Sequence, residues 1–305
     1  MFRRLGFLLL APVSLVAETY GLEPGAAHLA VSVRPPVLTL DSEGTGVRLG
    51  DIPWTEAEKR LTPDRVVVLP LGAGSKEHGP HLPLRTDAIL ADYFAKRVLL
   101  VRPVVVLPTL TYGFYPAFLE YPGSTSLSFE TQRDAVAEIC RSIARHGPRR
   151  FYVLNTGIST ARPLKATAER LAGEGILMRF TDLATAGKGA VDAVRQEKFG
   201  THADEIETSM ILYMEPGAVH MHKAVADGAE ERPGPLTRNR ENPLGHYAPS
   251  GVFGDATLAT RKKGETVVEE MLGDILKEID ALAATPAPRG TPRSPLDREG
   301  ATAPP

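Results

Sequence analysis

The run Arg65-Val66-Val67-Val68-Leu69 is continuously apolar after its first residue and β-branched at three positions. Such a run reads as a strand buried on both faces, the kind a parallel sheet requires. The chain then changes character in Pro70-Leu71-Gly72-Ala73-Gly74-Ser75-Lys76-Glu77-His78-Gly79-Pro80-His81-Leu82-Pro83-Leu84-Arg85-Thr86-Asp87. This is a loop rich in Gly and Pro, and it carries Glu77, His78, His81 and Asp87 within eleven residues. Ligands gather on loops at the carboxyl ends of parallel strands, so strand and loop together decide both fold and site.

Outward from this pair the pattern alternates. Ile89, Leu90, Phe94 and Val98 have helical spacing within Thr86–Leu100, and Val104–Leu107 reads as a second strand. Ser128 can cap a helix running to about His146 and closed by Gly147, with Cys140 on its apolar face as a core residue. Phe151–Leu154 and Ile176–Phe180 are further strands, separated by a helix over 161–173. Glu205–Met214 is helical, and Val267, Val268, Met271, Leu272, Ile275, Leu276 and Ile279 mark a last helix after Gly264. Strands alternating with helices give an α/β fold with a mostly parallel sheet covered on both faces.

The chain has 305 residues, enough for one large α/β domain with appendages. Thirty-five basic and 37 acidic residues leave a formal charge of −2, against the basic excess of a nucleic-acid binder. One cysteine excludes a disulfide framework and a cysteine-rich zinc site, so His and carboxylates must supply any metal ligands. No glycine-rich phosphate loop of standard spacing is present. Residues 1–20 combine Arg3-Arg4 with about a dozen apolar residues, the signature of an export signal and too short for a membrane span. They predict a periplasmic or secreted protein, with a cytoplasmic one as the alternative. Residues 21–45 read as a linker, 46–283 as the folded domain, and 284–305 as a Pro-rich disordered tail.

The first loop suits a Zn, Mn or Fe ion held by imidazole and carboxylate. The alternative is that Asp87 caps the following helix while the histidines satisfy backbone groups. A second cluster, Gly200-Thr201-His202-Ala203-Asp204-Glu205-Ile206-Glu207-Thr208-Ser209, opens a helix. Glu205 and Ser209 share a face there, Glu207 points elsewhere, and His202 projects freely ahead of the helix. A plain acidic first turn favoured by the helix dipole explains the same residues. Asn155 and Ser159, at the end of the third strand, can bind substrate or merely shape a turn. His220 and His222 read as surface imidazoles, Trp54 as a packing anchor, and 224–250 as a long loop serving as a subunit arm or lid.

Leu69–Asp87 resembles the signature of the creatininase (creatinine amidohydrolase) family, close to G-S-x-E-Q-H-G-P-H-L-P-x-x-T-D. Tyr112-Gly113 with Tyr121–Thr125 resembles its Y-G…F-P-G-T segment, and His202–Ser209 resembles its H-A-G-E-x-E-T-S. Gly251, Gly254-Asp255-Ala256 and Lys263-Gly264 resemble its later glycine-rich stretch. The resemblance implies a three-layer α/β/α fold, a homo-oligomer up to a hexamer, and hydrolysis of a non-peptide C–N bond in a small or cyclic amide. It implies that His78, Asp87 and Glu205 ligate a divalent ion, Zn or Mn with iron as a further candidate, and that His202 acts as acid/base. His81 reads as a group that orients the loop from behind the ligands, and Tyr112, Asn155 and Ser159 as the candidate substrate contacts.

Three positions depart from the family pattern: Lys76 stands where a Glu is expected, Gly157 where a metal-binding His is expected, and Phe118 where a further His is expected. These departures imply one ion per chain. They leave Glu77 as a ligand that rotates in through the extra loop residue, and Lys76 as an ammonium that stabilises an oxyanion in place of a second ion. The alternative is a non-catalytic binding or scaffold protein. A closed pairing of Lys76 with Asp87 or Glu205 would favour that alternative.

Overall fold

The structure, a computed structural model, describes residues 46–228, 234–286 and 290. The expected signal, the linker and most of the expected tail lie outside the described residues. Five parallel strands form the central sheet in the order β1-β3-β2-β4-β5: β1 (Val47–Arg48), β2 (Val66–Leu71), β3 (Val105–Val106), β4 (Arg150–Asn155) and β5 (Leu177–Phe180). The central register pairs Val66 with Arg150 and runs to Leu71 with Asn155, so β2 and β4 end level.

Alternation along the strands builds two cores. Val66, Val68, Tyr152 and Leu154 face α2 (Thr86–Val101), α6 (Glu205–Met214) and α7 (Arg261–Ala284). Val67, Leu69, Phe151 and Val153 face α3 (Phe129–Ala144) and α4 (Ala161–Ala172). Both faces of the sheet are therefore covered, which is why β2 is apolar throughout and β4 is apolar or aromatic between its end residues, Arg150 and Asn155. Each such buried aliphatic side chain contributes about 1.5–3 kcal/mol. Cys140 lies fully buried in the second core, and burial pushes its thiol up to about 12. The three-layer α/β/α class expected from the sequence is the observed one.

Ser128 caps α3 by accepting a hydrogen bond from the Thr131 N–H at 3.1 Å. Three short elements carry too little periodicity to be read beforehand: β1, α1 (Trp54–Arg60) and α5 (Lys188–Val194). Trp54 is 75% exposed, so it is not a packing anchor among the described residues. The last helix begins at Arg261, not after Gly264, with Thr260 as its cap. Gly264 sits inside it because a Cβ there would collide with the carbonyl of Ser209 on α6. Among the described residues of 224–250, β6 (Ala226–Asp227) pairs with β9 (Gly254–Asp255) beyond the stretch, and β7 (Leu236–Thr237) pairs with β8 (His246–Tyr247). His220 and His222 are both exposed. Among the described residues no helix is long and apolar enough to cross a membrane.

Candidate active site

The loop after β2 folds back over the carboxyl end of the sheet and is held there by its own backbone. The Lys76 N–H donates to Leu84 O at 2.9 Å, and the Ala88 N–H donates to Ala73 O at 3.2 Å. The Thr156 hydroxyl, just past β4, reaches Leu71 O at the end of β2 at 3.1 Å and Asp87 O in the first turn of α2 at 2.9 Å, and so ties the two strand ends to the helix. This folding buries Lys76, Glu77, His78, His81 and Asp87 together.

Inside the loop, the His78 Nδ1–H donates to Lys76 O at 2.9 Å, so Nε2 is the nitrogen turned inward. It lies 3.0 Å from Asp87 Oδ1 and 3.5 Å from Glu207 Oε1. His202 is arranged in the same way. Its Nε2 faces Glu77 O at 2.9 Å and Glu77 Oε2 at 3.0 Å, which leaves Nδ1 toward Glu207 Oε2 at 3.6 Å. Two imidazoles thus turn a nitrogen lone pair toward one carboxylate, that of Glu207, whose side chain is 15% exposed. Lone pair against carboxylate is repulsive unless a proton or a metal ion lies between them.

The charges lead to the same conclusion. Glu77, Asp87 and Glu207 are three carboxylates, and the ammonium among them is Lys76, 2.8 Å from Asp87 Oδ2. With both imidazoles neutral two negative charges remain, too costly to bury without a proton or a metal ion among them. Burial and the Lys76 ammonium push the His78 imidazole down, but the Asp87 and Glu207 carboxylates outweigh them and raise it to about 9. Burial raises the Glu207 carboxyl, but His78, His202 and Lys76 hold it far below the usual carboxylate range. Burial also pushes His81 down to about 4; its Nε2 meets Thr208 Oγ1 at 2.7 Å behind the cluster. Donor atoms of His78, His202 and Glu207 all lie within 4.8 Å of one another. Two imidazoles and a carboxylate at that spacing fit a divalent ion such as zinc or manganese.

The structure brings together Lys76, Glu77, His78, Asp87 and His202 from the sequence reading, with His81 behind them. Glu205 stands apart. Its carboxylate pairs with the Lys263 ammonium and accepts from the Gln196 and Glu197 N–H groups at 2.8 Å each. Glu207 takes the place beside the histidines, although the helix face had been expected to turn it elsewhere. The Asn155 side chain is taken up by the turn it opens, through Gly157 and Thr160. Tyr112 is 56% exposed and outside the cavity wall, whereas Ser159 lies on that wall.

The cavity above the cluster holds about 420 Å³. Lys76, His202 and Glu207 form its polar end; Tyr115, Phe118, Leu236 and Phe253 form an apolar side. The Phe118 ring centroid lies 4.4 Å from that of His202 and 4.7 Å from the Lys76 Nζ, so the ammonium rests on an aromatic face.

Fold and cluster define an α/β protein with a buried imidazole–carboxylate centre at the carboxyl ends of a parallel sheet. The family model described as creatinine amidohydrolase matches residues 50–279, and the chain belongs to this creatininase family of hydrolases. It is 29% identical over 233 residues to the mycofactocin precursor peptide peptidase of Mycobacterium ulcerans, covering 73% of this chain and 87% of that relative. It is also 29% identical over 253 residues to the creatinine amidohydrolase of Pseudomonas putida, covering 76% and 96%. A crystal structure of a creatinine amidohydrolase superposes with a TM-score of 0.64 at 25% identity, over 80% of this chain and 100% of that one.

Proposed function

We propose that the protein is a metal-dependent amidohydrolase that cleaves a non-peptide C–N bond in a small or cyclic amide. The observation that carries the reading is the pair of buried imidazoles whose nitrogens turn onto the one carboxylate of Glu207. His78, His202 and Glu207 would hold a single divalent ion. Such an ion supplies Lewis acidity, which acidifies water and polarises a carbonyl. The Lys76 carbonyl orients His78 through its Nδ1–H, and Asp87 clamps the Lys76 ammonium. Lys76 thereby offers a fixed positive charge to an oxygen that gains negative charge as the amide is attacked. Glu77, 3.0 Å from His202 Nε2 and held by the Gly79 N–H through its other oxygen, orients that imidazole. The apolar wall excludes water and strengthens these charges. The same reading includes the homo-oligomer implied by the family resemblance, which light scattering on the purified chain measures.

One observation favours the metal-free alternative. Lys76 and Asp87 form a closed ion pair with side chains 6% and 0% exposed, on a carboxylate the resemblance assigns to the metal. Elemental analysis of the purified protein separates the two. The hydrolase is expected to retain close to one zinc or manganese per chain and to release amine or ammonia from members of a panel of linear and cyclic amides. Less than about 0.1 ion per chain, with no uptake on adding either metal and no amide cleaved, leaves the binding-module reading.

A further inference from the structure

Tyr115 lies in the segment that joins β3 to α3, and it is 1% exposed. Its position is rigid. Its N–H donates to Ser126 Oγ at 2.9 Å, and its ring packs across Gly113 and Gly157, where a Cβ at either would stand 3.0 Å from ring carbons. Its hydroxyl nevertheless has no hydrogen-bond partner among the described residues. The other buried tyrosines differ. Tyr121 donates to Ala248 O at 2.7 Å, and the Tyr152 hydroxyl meets Thr181 Oγ1 at 3.0 Å. An orphaned buried hydroxyl costs about 1–3 kcal/mol, and a phenylalanine of the same shape would avoid that cost. The hydroxyl therefore has a use outside the fold's own hydrogen bonding.

The surroundings indicate the use. Tyr115 and Lys76 line the same cavity, with the ammonium 5.6 Å from the tyrosine ring centroid. The ring stands on the apolar side of the cavity beneath the ammonium, and its unpartnered hydroxyl is a second donor next to that polar end. Burial, helped by Asp87, raises the phenol well above its ordinary range, so it keeps its proton and donates.

We propose that the Tyr115 hydroxyl and the Lys76 ammonium together hold the carbonyl oxygen of the substrate, which makes Tyr115 a further catalytic residue. The inference rests on the amide reading for the identity of that oxygen. As the oxygen of water adds to the carbonyl carbon, the C=O π pair moves onto the held oxygen, where the two donors stabilise it. When the C–N bond breaks, that pair re-forms the C=O, and the leaving nitrogen departs with the proton lost by the water. The products are a carboxylic acid and an amine, and neither donor is consumed.

Benzamide, an uncharged carbonyl probe with a flat apolar ring, is titrated calorimetrically into wild type, Tyr115→Phe and Tyr121→Phe, and all three are melted. Tyr115→Phe is expected to melt at or above wild type and to bind benzamide about tenfold more weakly, the effect of one lost hydrogen bond. Tyr121→Phe, which loses a satisfied bond, is expected to melt lower. Where an amide substrate turns over, Tyr115→Phe should lower kcat about 100-fold with KM changed far less. The inference is overturned if wild type fails to bind benzamide, if Tyr115→Phe binds it equally well, or if Tyr115→Phe melts as low as Tyr121→Phe. Binding and melting need no turnover, so a failure of the hydrolase reading shows separately, in the amide panel.

Discussion

Glu205 and Glu207 stand two positions apart at the start of α6, about 200° apart around the helix, so they serve opposite faces. Glu205 turns to Lys263, and Glu207 turns to His78 and His202. Glu207→Gln is expected to lower ion retention by at least about 10–100-fold, judged against losses measured for groups one shell further out. Glu205→Gln should keep the ion and lose stability by about 3 kcal/mol, because the largely buried Lys263 ammonium is left unpaired. Elemental analysis beside urea melts reads both; an ion lost from Glu205→Gln and kept by Glu207→Gln reverses the assignment. At this scale the first loop was legible and α6 was not. Lys76, Glu77, His78 and Asp87 meet because eleven or so consecutive residues of a tight loop cannot separate far. Which of two nearby glutamates reaches the site depends on helical phase. That phase is set by Ala203 in the left-handed region (φ 48°) and by the Asp204 cap, which accepts from the Ile206 and Glu207 N–H groups.

Among elements, the contact between α6 and α7 carries the site. Gly264 lets α7 lie against the Ser209 carbonyl, beside Ile206, Glu207 and Met210, which line the cavity. Gly264→Ala forces the two helices apart and is expected to cost up to about 3 kcal/mol by overpacking. It should also weaken ion retention, since α6 carries Glu207. An unchanged urea midpoint would mean that the contact relaxes at no cost. The strands and long helices were legible because both their periods persist over many residues. β1, of two residues, and α1, which buries none of its side chains, present no such pattern.

For the molecule as a whole, stability against pH is tied to a buried acid pair beside the site. Burial, reinforced by Asp204, raises the Glu197 carboxyl from 4.5 to about 8, and Arg195 approaches it only to 3.7 Å. The folded chain holds a proton there that the unfolded chain releases above pH 4.5. Stability therefore falls as pH rises from 4.5 toward 8, and the dependence from this group ends above that range. The slope is at most about 1.4 kcal/mol per pH unit, that of one proton. Urea midpoints across this range should fall for wild type and stay flatter for Glu197→Gln; parallel curves would remove Glu197 as the cause. The alternation of strand and helix, the layer class, the family signature and the crowded first loop could all be read along the chain. Each rests on near neighbours, whose spacing is set by covalent geometry. The choice of Glu207, the closed pairing of Lys76 with Asp87 and the unpartnered hydroxyl of Tyr115 emerged only on folding. They depend on groups far apart in sequence meeting in a low-dielectric interior, where orientation and charge balance decide which contacts form.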